Sequence, residues 1–288
     1  MSDWIGTIIQ GCLLGGLYAL FAIGLSITYG VMRVVNIAHG DFIVLSAYLA
    51  LVPISMLGLH PFAVVAPVAI VMFVVGYLLQ RWLLNRTIGP DILPPLLVTF
   101  GLSILIQNGL LEVFTADSQA LQIGELSTAS LLLFGDITIG EFPLLVFIIS
   151  LLLTFAVSQL FNRTSIGMSL RATSDDPVTA GLMGIRANHM YAMAMGLAFA
   201  LVAIGGVLSG ARTTFTPASG PASLLYAFEA VVIGGMGSLW GTFAGAVILG
   251  VAQAIGAEIN AGFGVLFGHL VFLAVLIFKP TGLFARTK

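Results

Sequence analysis

From Ile5 to Tyr29 the chain runs 25 residues without one formally charged side chain, about the length of apolar helix that crosses the ~30 Å hydrocarbon core of a bilayer. Further apolar stretches run Phe42 to Leu59, Phe62 to Leu84, Leu93 to Leu111, Phe142 to Phe161 and Met190 to Ala211. Over the whole chain 59% of residues are hydrophobic and 8% charged, where a soluble domain carries about 25% charged residues. Inside lipid every backbone N–H and C=O must be satisfied within the protein, which leaves helices or closed barrels. The alternating ten-residue pattern of barrel strands is missing, and 34 glycines in 288 residues suit helices packed closely through small residues. The expected fold is all-α: a polytopic transmembrane helical bundle of about eight or nine segments, one short or broken, forming a single domain over residues 1–288.

The same composition excludes several functions. A net charge of −2 offers no basic face to nucleic acid. The single cysteine, Cys12, allows no internal disulfide, and His39, His60, His189 and His269 lie too far apart for a zinc spacing. No metal or cofactor on this chain is therefore expected. Gly235-Met236-Gly237-Ser238-Leu239-Trp240-Gly241 lacks the lysine of a nucleotide-binding loop, and no Ser, His and acid trio falls at consistent depths, so neither ATP hydrolysis nor another catalytic activity is expected. The first residues carry Asp3 and no Lys or Arg, unlike a signal peptide. The first run is read as a retained span.

Between Leu224 and Phe278 the apolar pattern is interrupted at Gly234–Ser238 and at Asn260–Gly262, which divides it into a short helix, Leu224 to Met236, and two full ones. Lys and Arg are enriched in cytoplasmic loops. With the N-terminus outside, one side collects Arg33, Arg81, Arg86, Arg163, Arg171, Arg186, Lys279, Arg286 and Lys288, leaving Arg212 alone on the other. The connection from about 112 to 141 holds Glu112, Asp117, Glu125, Asp136 and Glu141 and no Lys or Arg. The N-terminus and this loop are expected outside, and the C-terminus and the connection from about 162 to 188 in the cytoplasm.

Two interruptions carry residues that a lipid-facing helix avoids. The first, Asn36-Ile37-Ala38-His39-Gly40-Asp41, is either an ordinary turn between spans or a re-entrant turn lining a path. The second, around Gly234, Gly235, Gly237 and Ser238, is either close helix packing, with Gly237, Gly241 and Gly245 as small-xxx-small steps, or part of the same path; both can hold together. Irregular backbone at membrane depth needs protein or a water-filled cavity around it, so both breaks point to translocation. Glu229 and Glu258 are acids at membrane depth or at an interface. His39 is a capping histidine or a proton relay.

The connection 162–188 differs in character from the others. Ile166 and Leu170, then Val178, Leu182 and Ile185, recur at helical spacing, and Pro177 after Ser174-Asp175-Asp176 is a first-turn residue. Two short amphipathic helices are expected, either folded back on the membrane surface or docked into a cytoplasmic partner. Arg171 and Asp175, four apart, share a helix face and can pair.

Taken in order, four stretches resemble the permease subunits of bacterial ATP-binding-cassette importers for branched-chain amino acids, the smaller of the two permeases in such a system. They are Gly15-Gly16-Leu17-Tyr18-Ala19-Leu20 with Gly24, then Asn36 to Gly40, then Gly167 to Ile185 with Arg171, Ala172, Asp175, Leu182 and Gly184, and finally Ala230 to Ser238. The closing Lys279-Pro280-Thr281-Gly282-Leu283 is similar too. The resemblance implies a multi-pass protein of the bacterial inner membrane that pairs with a second, related permease and with two cytoplasmic ATPases, which hold the ATP and magnesium. It implies substrate delivery by a periplasmic binding protein and places the coupling loop at Gly167 to Ile185. Related systems carrying urea and short amides or aromatic acids look alike in the permease. A stand-alone secondary transporter using Glu229 and His39 is the reading from another class.

Overall fold

The computed structural model describes residues 2–89, 91, 93–134 and 137–284. Asp136, Arg286 and Lys288, counted above for orientation, lie outside the described residues. Five long helices come first: α1 (Ser2–Met32), α2 (His39–Leu57), α3 (Pro61–Trp82), α4 (Leu93–Phe114) and α5 (Glu141–Arg163). Two short helices follow, α6 (Ser165–Asp175) and α7 (Pro177–Leu182). The chain then returns through α8 (Ala187–Arg212), the 15-residue α9 (Gly220–Gly234), α10 (Leu239–Ile259) and α11 (Gly264–Phe278). Eight helical stretches among the described residues are long and apolar enough to cross a membrane. The six apolar runs read from the sequence are six of these, and α9 is the short segment. It begins at Gly220, four residues before the expected start, because Gly220-Pro221 opens the helix with proline in its first turn.

α1 and α8 form the centre, most of each being covered by neighbouring helices, whereas α3, α4, α5 and α11 are largely uncovered. Gly24 of α1 meets Ala198 and Val202 of α8, and Gly11 and Gly15 meet Val251 and Val247 of α10. The α6–α7 connection sits at the end of the bundle where α1, α3 and α5 finish and α8 begins. The opposite end carries the 112–141 connection. There Ser130–Phe134 pairs antiparallel with Ile137–Gly140 as β1 and β2. Backbone bonds from Leu121 N–H to Gly210 C=O and between Gln119 and Phe215 tie this connection to the end of α8. The hairpin is an addition to the all-helical expectation, small enough to leave the fold class intact.

Candidate functional site

The first break lies deep in the bundle. α1 ends when Arg33 enters the left-handed region at φ 55°, turning the chain back along α1. His39 Nε2 then meets the Phe21 carbonyl at 2.9 Å, about 16 Å of helix before the end of α1. On the other side Ile37 N–H donates to Thr99 Oγ1 at 3.2 Å and Gln107 Nε2 donates to Asp41 Oδ1 at 2.9 Å, both in the middle of α4. Asn36, His39 and Asp41 are buried. The segment thus turns back into the bundle, where neighbouring helices bond Ile37 N–H, His39 Nε2 and Asp41 Oδ1, while Asn36 Nδ2 and His39 Nδ1 are buried without a hydrogen-bond partner among the described residues.

α2 begins here and crosses the start of α9. A Cβ on Gly40 would lie 2.0 Å from the Gly220 carbonyl oxygen, so only glycine permits the crossing. Two helix N-termini therefore meet at depth beside the Asp41 carboxylate, which complements their positive ends.

At its other end α9 packs tightly on α10. A Cβ on Gly234 would fall 2.1 Å from the Gly241 carbonyl oxygen, which is the close-packing reading of the second break. The closing segment of the chain completes it: Leu283 N–H donates to Ile233 C=O at 2.9 Å and Phe284 N–H to Gly234 C=O at 3.1 Å, satisfying carbonyls that the end of α9 leaves open. Gly235, at φ 102°, touches the backbone of Gly282. A large residue at Gly235 would break this join as well as any path, so transport by such a variant cannot separate the two readings. Gly237 and Ser238 instead face a cleft of about 200 Å³ shared with Ser26, Gly30, Ser158, Arg171 and Ser174.

Glu229, midway along α9, is 1% exposed, and its Oε1 pairs with Nδ1 of His269. His269 stands at the centre of the last span, so the pair lies near mid-membrane, where a lone charge costs about 2.5–3.5 kcal/mol even on the most permissive scale. Around it, Tyr18 donates to Gln253 Oε1 at 2.6 Å and stacks on Tyr226 with ring centroids 4.9 Å apart. Arg212 Nη1, Gln253 Nε2 and Glu229 Oε2 are buried without a hydrogen-bond partner among the described residues. The sequence assigns no role to His269 or Gln253 and shows Tyr18 only within the Gly15 to Leu20 stretch; an imidazole alone in an apolar span is the signal for a partner to Glu229. Glu258 is exposed at the end of α10 and accepts from Thr7 Oγ1 at 3.1 Å, an interfacial position.

Breaking the pair gives a direct stability test. Glu229→Ala should cost about 3 kcal/mol, the low end for a broken buried pair because His269 is one-third exposed, whereas Glu229→Gln, which keeps an acceptor for His269, should stay within about 1 kcal/mol. Thermal denaturation of the purified variants checks the difference.

The 162–188 connection forms the two short helices expected. Thr164 Oγ1 accepts from Gly167 N–H at 3.0 Å and so caps α6. Gly167 lies against the Leu160 and Phe161 backbone, where a Cβ would come within 2.2 Å of a carbonyl oxygen. Asp176 accepts from Val178 and Thr179 N–H, at 2.9 and 3.2 Å, and from the Thr179 hydroxyl, which holds its carboxyl below the usual range. A carboxyl depressed in this way contributes its cap fully above the ordinary carboxylate pKa and loses it only as pH falls through the lower, folded value, so α7 stays capped throughout the neutral range. Ser174 donates to the Gly30 carbonyl at 2.6 Å and fastens α6 to the end of α1. Arg171 and Asp175 share a face but make no ion pair, and Arg171 Nε turns inward without a partner among the described residues. Beyond them the apolar side chains of Val178, Leu182 and Met183 project from the protein, 74%, 84% and 79% exposed, with Gly184 at φ 84° and Ile185 closing the turn into α8.

Eight helical stretches long and apolar enough to cross a membrane among the described residues, with the short α9 and a two-helix connection at one end of the bundle, mark a polytopic membrane protein. Residues 7–279 match the family described as branched-chain amino acid transport system permease component. The chain belongs to that family. It is 31% identical to the high-affinity branched-chain amino acid transport system permease protein BraD of Pseudomonas aeruginosa, over 99% of this chain and 97% of that one. It is 26% identical to the corresponding protein LivH of Escherichia coli K12, over 97% and 94%, and 23% identical to LivM of Salmonella typhimurium, over 94% and 68%. No solved structure matches the chain.

Proposed function

We propose that the protein is a membrane permease subunit of an ATP-binding-cassette importer and forms part of the translocation path for branched-chain amino acids. The observation that carries this reading is the α6–α7 element. Its capped helices are fastened to α1 through Ser174 and Gly30, yet it presents Val178, Leu182 and Met183 uncovered. An apolar face of this kind needs a cover, the membrane surface or a partner protein, and a cytoplasmic partner is the cover that an energy-coupled permease requires. Two cytoplasmic ATPase subunits, holding ATP and magnesium, dock there, with Gly167, Arg171, Asp175, Leu182, Gly184 and Ile185 in the coupling element. A second, related permease stands beside this one, in keeping with the similarity to LivM, and a periplasmic binding protein delivers the substrate. The path runs past Asn36, His39, Asp41, Glu229, Gly234, Gly235, Gly237 and Ser238. The leucine-type cargo rests on the names of the relatives.

The protein lies in the bacterial inner membrane with its N-terminus periplasmic and its C-terminus and α6–α7 cytoplasmic, following the distribution of Arg and Lys, with the short α9 counted as the ninth crossing, between α8 and α10. In a Cys12→Ala background, Ser127→Cys on the acidic loop should react with an impermeant maleimide in intact cells and Ser165→Cys at the start of α6 should not. Both positions are exposed; Thr173, buried in α6, would report nothing. The reverse labelling pattern would invert the topology. Co-purification of the ATPases with the permease tests the assignment itself: association should persist in the wild type and be lost with Val178→Asp.

A further inference from the structure

Where α3 ends and α8 begins, a cleft of about 650 Å³ is lined by Tyr77, Arg81, Asn85, Arg186, Asn188 and His189. It lies at the boundary of the spans, since α3 carries only apolar residues for several turns before Tyr77 and Gln80, and Trp82, beside the cleft, is 62% exposed as interfacial tryptophans are. No acidic residue lines it. Arginines at helix ends commonly extend into water without a partner, but Arg81, though exposed, is held in place here. Arg81 Nη1 donates to the Tyr77 hydroxyl at 2.9 Å with its guanidinium 5.9 Å from that ring's centroid. The same hydroxyl lies 2.9 Å from His189 Nδ1, linking α3 to α8. The far wall is closed by Asn85, whose Nδ2 donates to the Asn188 carbonyl at 3.0 Å and whose Oδ1 accepts from Gln80 Nε2 at 2.9 Å.

We propose that this cleft binds the head group of an anionic phospholipid. The remaining N–H groups of Arg81, the whole guanidinium of Arg186 and Nε2 of His189 supply donors suited to phosphate oxygens, and guanidinium matches phosphate in two-point fashion. The shared chemistry is a phosphate ester, and the position decides its source. Basic pockets between transmembrane helices at the cytoplasmic face take lipid head groups, and the apolar flank of α3 below the cleft, with Ile70, Val71 and Val74 exposed, gives acyl chains a surface to lie on. A lipid held there would bridge α3 and α8, the central helix of the bundle.

The test compares the full-length permease with Arg81→Ala/Arg186→Ala, purified and analysed for bound lipid by native mass spectrometry, and measures thermal stability in nanodiscs of phosphatidylcholine alone or with phosphatidylglycerol. The wild type should retain phosphatidylglycerol and gain stability from it. Retention should fall about 25-fold in the double variant, roughly fivefold for each arginine near the membrane surface. In phosphatidylcholine alone the two proteins should melt together, which separates lipid binding from folding; a variant already less stable there would mean that the arginines only support the fold. Equal retention in both proteins would overturn the site. Stabilisation by inorganic phosphate or glycerol phosphate matching that by the lipid would overturn the lipid as its ligand in favour of a free anion.

Discussion

Leu182→Asp should abolish the stimulation of ATP hydrolysis by loaded binding protein in the reconstituted complex, at least tenfold, while leaving the amount of permease in the membrane unchanged. The separation follows from exposure. Leu182 is 84% exposed, so a carboxylate there meets water in the isolated chain and its fold loses nothing. Buried against an ATPase, the same carboxylate would be desolvated without a partner, at a cost of several kcal/mol, while about 1.5–3 kcal/mol of leucine burial disappears. Arg171→Glu should act differently. Arg171 is half-buried beside the cleft and makes no ion pair with Asp175 among the described residues, so the reversal removes no salt bridge. It sets two acids on one face of α6, weakening coupling without removing association. Unchanged stimulation in Leu182→Asp would reduce α6 and α7 to a simple connection between α5 and α8.

The second large effect concerns the crossing at Gly40. Gly40→Val places branched carbon against the Gly220 carbonyl, where even a Cβ would stand at 2.0 Å. The obstacle is backbone, which cannot rotate aside, so α2 and α9 must move apart. Overpacking costs about 1–3 kcal/mol where side chains can shift and more where they cannot. Separation here would also expose buried Asp41 and Asn36. The expected result is loss of monodisperse permease from detergent extracts by size-exclusion chromatography. Gly101→Val, on the uncovered α4 with nothing within 4 Å of its Cβ, should behave as the wild type. Normal yield of Gly40→Val would mean that the crossing is looser than the structure describes.

These two sites differ in how far the sequence discloses them. Residues such as Val178 and Leu182 recur at helical spacing in an otherwise polar connection, so the short helices and their apolar face are legible from local pattern. The long spans are legible for the same reason, because hydropathy and length act along the chain. The pairing of Glu229 with His269 is not, since the partners are far apart in sequence and hydropathy carries no distance between helices. Capping of α9 by Leu283 and Phe284 is likewise tertiary: the closing segment reads as a tail until its N–H groups are placed against Ile233 and Gly234. The depth of Asn36 to Asp41 falls between these cases. Its polar composition marks a break, but only the contacts with Phe21, Thr99 and Gln107 place that break inside the bundle. At Gly234 the close packing is seen directly, against the Gly241 carbonyl of α10.

The proposed function requires that ATP hydrolysis on partner subunits, transmitted through α6 and α7, move a branched-chain amino acid through this permease. Uptake of radiolabelled leucine into proteoliposomes holding the complete complex, with binding protein outside and ATP inside, tests it most directly. Accumulation should require ATP and binding protein together and be abolished by Leu182→Asp. Leucine entry that proceeds without ATP, driven by an ion gradient, or an ATP-dependent uptake of urea with no response to leucine, would contradict it.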